Sequence, residues 1–206
     1  MGAAAQATAF YPMVMSTFEE LLAEIGACRV CADFLPLGPR PVVRLDTRAR
    51  ILIIGQAPGT KVHETGIPWN DASGRRLRDW LDLSDETFYD IGKIAIMPAG
   101  FCYPGRDAKG GDKPPRPECA PLWHPRVMPH LRGIKLTLLV GGYAQKLALG
   151  KETGGVSETV ERWREFLPHH VPLPHPSWRT MNWERKNPWF QTELLPDLRS
   201  RLKELL

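Results

Sequence analysis

No run of about 18 apolar residues occurs in this 206-residue chain, so the sequence offers no membrane-spanning helix. Its first residues, MGAAAQATAFYPMVM, lack the positive start and long apolar core of a secretion signal. Residues 1–15 are therefore expected to be a short flexible leader ahead of a single domain over residues 16–206. No internal repeat and no low-complexity tract is present, and neither G-x-G-x-x-G nor a P-loop occurs, which removes the common nucleotide-binding fingerprints. Cysteine is scarce, at four residues. With no secretion signal, those four are not expected to form disulfides. Neither charge sign dominates: Lys and Arg number 27, Asp and Glu 23, for a net charge of +4. That mild basic excess favours a polyanionic partner without specifying one. The expected setting is cytoplasmic and nucleoid-associated, with no membrane contact, and the expected state is a monomer.

Proline and glycine are plentiful, 20 and 18 residues. They fall between periodic segments, which suggests long ordered loops. Ser16 to Cys28 carries a capping-box pattern and apolar residues at helical spacing (Phe18, Leu21, Leu22, Ile25). Ile51 to Ile54 is a continuous apolar run, as a strand buried on both faces requires. Lys93–Met97, Lys135–Val140 and Val171–Leu173 read as three further strands. Helical patterns cover Ser73–Leu81, Tyr143–Leu149, Ser157–Leu167 and Trp189–Leu206, with Pro196 expected to break or kink the last. Strands alternating with helices predict a three-layer α/β/α domain with a mainly parallel sheet of about four strands. Ligands gather at the carboxyl ends of such strands. Gly55–Gly59, Pro98–Cys102, Gly141–Gly142 and His175–Ser177 all lie there, so they are expected to converge.

Four features carry chemistry. The turn Gly55-Gln56-Ala57-Pro58-Gly59 lets backbone approach a ligand closely and could aim N–H groups at an anionic oxygen; a plain strand-to-loop turn is the bland alternative. His175, clamped between Pro174 and Pro176, could stabilise developing negative charge, or could be an ordinary solvated loop histidine. Beside it, Ser177, Trp178 and Arg179 suit a phosphate and a base. Cys28 and Cys31 form C-x2-C, with Cys102 and Cys119 farther along; four thiolates would suit zinc or an iron–sulfur cluster, against buried free thiols. Asn70 and Asp71 follow Trp69, and Asp71 could orient water or offset a cation, or simply cap a helix. The Gly/Pro-rich stretch Arg106 to Arg116 adds cations at Arg106, Lys109, Lys113 and Arg116. The histidines at 63, 124, 130, 169 and 170 show no metal-ligand spacing.

Taken together these segments resemble the uracil-DNA glycosylase superfamily, nearest its family 4 with features of family 5. GQAPG looks like the first family motif, GIPWNDASGRRL at Gly66–Leu77 is similar to the segment with the stacking aromatic, LLVGGYAQKLALG at Leu138–Gly150 resembles the helix-leading stretch, and HPSWR at His175–Arg179 resembles the second catalytic motif. The resemblance runs from about Cys28 to the last helix. It implies a DNA repair enzyme, a monofunctional N-glycosyl hydrolase that flips a deaminated base, uracil first, and leaves an abasic site. It further implies a [4Fe–4S] cluster on Cys28, Cys31, Cys102 and Cys119, with zinc or no metal as alternatives. It puts Trp69 on the flipped base, with Gly55, Ala57, Asn70 and Pro98 around it. His175 falls at the catalytic histidine, and Arg179, Ser177 and Trp178 in the loop that enters DNA. Gln56 stands where family 4 has glutamate, and an amide cannot act as a base; the carboxylate role therefore moves to Asp71, which matches the family-5 aspartate. Pro98 stands where family 4 has the asparagine that reads uracil, so hypoxanthine is an alternative base. A catalytically silent module that binds damaged or single-stranded DNA, and an enzyme of free nucleosides, are the alternatives from other classes.

Overall fold

The computed structural model describes residues 17–108, 110–150 and 154–206; the expected leader (1–15), Ser16 and the candidate phosphate ligand Lys109 lie outside the described residues. The apolar runs form four strands: β1 (Ile51–Ile54), β2 (Ile94–Ile96), β3 (Leu136–Val140) and β4 (His170–Leu173). Every residue of β1, β2 and β3 is buried. Strands this apolar need helices on both faces, which favours parallel pairing with crossover helices. All four strands are parallel, in the order β2-β1-β3-β4. Ile51 lies opposite both Ile94 and Leu136, and Thr137 opposite His170.

Alternate residues of the strands feed two cores. Ile51, Ile53 and Leu138 pack with α3 (Ala72–Leu81) and α9 (Leu195–Leu205). Leu52, Ile54 and Leu139 pack on the other face with α1 (Phe18–Gly26) and α5 (Cys119–Val127). The three-layer expectation is met. The exposed edge of β2 is covered by backbone, since Arg44 and Ile96 exchange two hydrogen bonds, at 2.9 and 2.7 Å. Such cover removes the row of open donors that an edge strand presents.

Thr17 caps α1 with the expected box: its hydroxyl accepts from the Glu20 N–H and Glu20 accepts from the Thr17 N–H. Other elements depart from expectation. The polar loop after β1 contains α2 (Thr60–Thr65), and α4 (Asp85–Tyr89) precedes β2. The long cysteine-bearing loop ends in α5, which tolerates Pro125 within it. The expected helix over 157–167 is shorter, α7 (Val156–Glu161), followed by a 3-10 turn at Trp163–Phe166. Between β3 and α7 lies α6 (Gly142–Leu149), and α8 (Met181–Lys186) follows the His175 loop. Near the C-terminus Pro196 does not break the helix. A wide π turn over Phe190–Leu194 leads into α9, and Pro196 falls in its first turn, where no N–H is needed.

From β1 the chain steps to β2 on one side and then to β3 and β4 on the other. Connections leaving β1 and β3 therefore diverge, and a crevice opens at their carboxyl ends. No helix among the described residues is long and apolar enough to cross a membrane.

Candidate active site

The four loops expected to converge do so. The Ala99 and Gly100 N–H groups donate to the carbonyls of Gly55 and Gln56, each at 2.9 Å, joining the ends of β1 and β2. Gly141 donates to Leu173 O at 2.9 Å, joining β3 to β4. A pocket of about 660 Å³, counted out to open solvent, lies at this end of the sheet. Gly55, Gln56, Ala57, Trp69, Asp71 and His175 all line it, and Pro98 forms part of the floor. Asn70 is not among the lining residues.

Trp69 is held across the pocket by an unusual backbone. Its φ is 57°, the left-handed region that a bulky residue seldom enters. Two glycines make room for it. A Cβ on Gly55 would sit 2.9 Å from the Trp69 ring, and one on Gly74 would sit 1.6 Å from the Trp69 carbonyl oxygen. That carbonyl accepts from Arg78 Nη1 at 3.3 Å, and the Pro68 carbonyl accepts from the Tyr89 hydroxyl at 3.1 Å. Arg78 is buried, donates to Tyr89 at 3.2 Å and pairs with Asp85 at 2.6 Å. A buried guanidinium thus ties the strained tryptophan to α3 and α4.

Asp71 caps α3: its Oδ1 accepts the Gly74 N–H at 2.8 Å. It lines the pocket as well, so the capping and site readings are compatible. His175 follows β4. Its ring lies 5.9 Å from that of Trp69, centroid to centroid, and against Gly141, where a Cβ would fall 3.6 Å from His175 Cβ. His175 is exposed at its surface, so the imidazole is reachable from the pocket, yet the protein packed around it still removes part of its water. That desolvation lowers its pKa, and the nearby Asp71 charge raises it in part. Neutral imidazole is therefore favoured, with one N–H to donate. The loop beyond is anchored to α3, because Arg76 Nη1 donates to the Ser177 carbonyl at 3.1 Å and pairs with Glu184.

Gln56 turns its amide away from a base role: Nε2 donates to the Lys113 carbonyl at 3.0 Å. That bond brings the Gly/Pro-rich loop against the pocket and places Asp112 in its wall. Reading this stretch for its cations missed the carboxylate among them. Asp112 is exposed overall, and the partial desolvation of its carboxyl in the wall raises its pKa; the Arg106 charge opposes this, and the charges of Asp71 and Asp107 add to it.

The expected DNA ligands divide. Trp178 is 75% exposed, and the Arg179 guanidinium lies 5.4 Å from its ring centre. Arg106 and Lys113 are exposed. Arg116 differs: it pairs with Glu118 at 2.7 Å and stacks 4.2 Å from the centre of the Phe34 ring, beside the cysteines.

Cys28, Cys31, Cys102 and Cys119, although far apart in sequence, line one apolar-walled cavity beneath α1 and α5. No group of three or more His, Cys, Asp or Glu side chains among the described residues forms a ready-gathered metal site. The chemistry of the four nevertheless fits a thiolate-bound group. Desolvation pushes Cys102 up to about 11 and Cys119 up to about 12, and raises Cys31 too, each with added repulsion from its neighbouring cysteines. A cationic centre would supply the charge that converts such thiols to thiolates. Cys119 Sγ already accepts the Phe101 N–H at 3.3 Å. The donor set alone suits zinc and an iron–sulfur cluster equally.

Helix α5, which carries Cys119 of the cavity, is also tied to the pocket. Pro98 O, at the pocket, lies 3.0 Å from Nε2 of the buried His124 on α5. A carbonyl only accepts, so His124 carries its proton on Nε2. Nothing in sequence spacing marked this histidine.

A solution structure from Methanosarcina acetivorans, described as a candidate uracil DNA glycosylase, aligns at 18% identity over 78% of this chain and 95% of that one, with a TM-score of 0.43. The family model for the uracil DNA glycosylase superfamily matches residues 43–199, which span the sheet, the glycine turn, Trp69, Asp71 and the His175 loop. The chain belongs to the uracil DNA glycosylase superfamily.

Proposed function

We propose that this protein is a monofunctional DNA glycosylase that excises a deaminated base, uracil first, and leaves an abasic site. The observation that carries this reading is the convergence of the glycine turn, Trp69, Asp71 and His175 on one pocket in a chain of this superfamily. A base must leave the duplex stack to reach such a pocket. Trp69 offers a flat face for it, and the N–H groups of Gln56 and Ala57 are donors for its carbonyl oxygens.

As the N-glycosidic bond lengthens, the sugar gains positive and the base negative charge. The N–H of a neutral His175 stabilises the leaving base anion. One preorganised donor of this kind is worth about 3–4 kcal/mol. The Asp71 carboxylate offsets charge on the sugar and holds the attacking water. Trp178 and Arg179 fill the space the base vacates, and Arg106 and Lys113 meet phosphates. A [4Fe–4S] cluster would be held by Cys28, Cys31, Cys102 and Cys119, where it would cross-link the start of α5 to the loops behind the pocket.

Oligonucleotides carrying uracil, hypoxanthine or xanthine, treated with the protein and then with alkali, test the reading. Strand breakage only after alkali is expected for uracil, together with iron and acid-labile sulfide in the same preparation. Intact strands with every base, alongside retained binding, would leave a DNA-binding module instead.

A further inference from the structure

We propose that Asp112 is the base-reading side chain of this pocket, and that its carboxyl group takes the place of the amide that Pro98 lacks. This rests on the glycosylase reading above and names the group that selects the substrate.

The pocket wall has few side chains able to read a base edge. Pro98 has neither side-chain amide nor N–H. The Gln56 amide nitrogen is committed to the Lys113 carbonyl at 3.0 Å. Asp71 is occupied at one oxygen by the Gly74 N–H. The Ser73 hydroxyl also lines the pocket, but a single rotatable hydroxyl presents no fixed donor–acceptor pair. Asp112 offers two oxygens, on the wall formed with Gln56 and Gly59: a Cβ on Gly59 would fall 3.5 Å from its Oδ2. Its placement is built rather than incidental. Arg106 and Asp112 face each other in a small antiparallel bridge, Asp107 N–H donates to Gly111 O at 2.8 Å, and Lys113 N–H donates to Gly105 O at 2.8 Å. The Gln56 bond then pins this hairpin to the glycine turn. The glutamine at this position thereby gains a purpose, since its amide holds the reader instead of being one.

The chemistry selects a class of base. A protonated carboxyl presents one O–H donor beside one carbonyl acceptor, the pair a carboxamide presents. That pair matches a lactam edge, an N–H next to a C=O, as found in uracil, hypoxanthine and xanthine. An ionised carboxylate only accepts, and would meet the lactam oxygen with repulsion. The groups facing Asp112 bear on which form prevails. Arg106 favours ionisation, whereas partial desolvation, Asp71 and Asp107 favour the proton; His175, which lines the same pocket, is itself shifted toward neutrality. Closing the pocket over a base removes further water and favours the proton again.

Asp112→Asn keeps donor and acceptor without titration, and Asp112→Ala removes both. Kinetics of uracil release from single-stranded oligonucleotides at several pH values, with melting temperatures to confirm folding, compare them with wild type. Asp112→Ala should lose roughly tenfold to a hundredfold in kcat/KM, the range of one bidentate base contact. Asp112→Asn should match or exceed wild type at neutral pH. Its ratio to wild type should grow as pH rises, and taking the ratio cancels the titration of His175. Two results would overturn the assignment: both variants at wild-type rates, or Asp112→Asn as damaged as Asp112→Ala, which would make Asp112 a charge-bearing carboxylate. A wild-type protein that releases no base would overturn the glycosylase reading and this inference together.

Discussion

Trp69 shows how much of a site can rest on one residue's backbone. Its φ of 57° costs an L side chain about 1–2 kcal/mol, and only the surroundings keep it there. Gly74 has no Cβ, which leaves the Trp69 carbonyl room, while Arg78 and Tyr89 hold the peptides on either side. The strain pins the indole against His175 rather than letting it pack fully into the core. Replacing Trp69 by glycine or alanine removes the ring in either case, but only alanine keeps the penalty for positive φ. Trp69→Gly should therefore melt above Trp69→Ala, by about 1 kcal/mol or roughly 2–4 °C in a chain this size, although glycine is ordinarily the less stabilising residue. Both should lose base release. A higher melting temperature for alanine in thermal unfolding would show that the strain is relieved in solution. Sequence reading assigned Trp69 a stacking role from resemblance alone. A left-handed tryptophan leaves no trace in periodicity, and Gly74 takes its meaning only from the carbonyl packed against it.

Elements set the electrostatics of the pocket. The N-terminus of α3 brings Asp71 and the end of β4 brings His175, so the pair depends on strand order, not on sequence distance. Desolvation lowers the His175 pKa and Asp71 opposes it. A histidine whose folded pKa is depressed favours the fold fully above its unfolded value, near 6.5, and loses that contribution as pH falls. Asp71→Asn removes the opposing charge but keeps a good cap. Its expected result is an unchanged melting temperature, a His175 titration midpoint shifted further to acid by NMR, and much slower base release. An unmoved midpoint would refute the coupling, and an unimpaired rate would reduce Asp71 to a cap. The elements were legible unevenly. Buried parallel strands announce themselves as apolar runs, so all four were found. Short α2 and α4 fall below the length at which period can be judged, and the prolines of α5 read as loop. Asp112 escaped because no period governs a hairpin of Gly, Pro and charge. Its significance comes from the Gln56 bond to a backbone carbonyl 57 residues away.

At the scale of the whole molecule, a net charge of +4 is too small to locate a DNA face; placement decides it. The described cations of the Gly/Pro-rich loop belong to two different surfaces. Arg106 and Lys113 sit by the pocket, with Arg179 and the exposed Trp178 on the loop after His175. Arg116 faces the cysteine cavity, spent on Glu118 and Phe34. A cation on a phosphate releases condensed counterions, and each such contact adds about 0.7–0.9 to the slope of log affinity against log salt. Lys113→Ala and Arg179→Ala should each flatten that slope by about 1. Arg116→Gln should leave it unchanged and instead disturb the thiols, since its charge lowers the pKa of Cys31. Trp178→Ala should weaken binding at every salt concentration in parallel, because stacking involves no counterion. Fluorescence anisotropy with a labelled abasic-site oligonucleotide over a range of salt concentrations separates these outcomes. A slope that responds to Arg116 but not to Lys113 or Arg179 would move the DNA to the cysteine side of the sheet, and the pocket at the ends of β1 and β3 would then need a free base or nucleoside as its substrate.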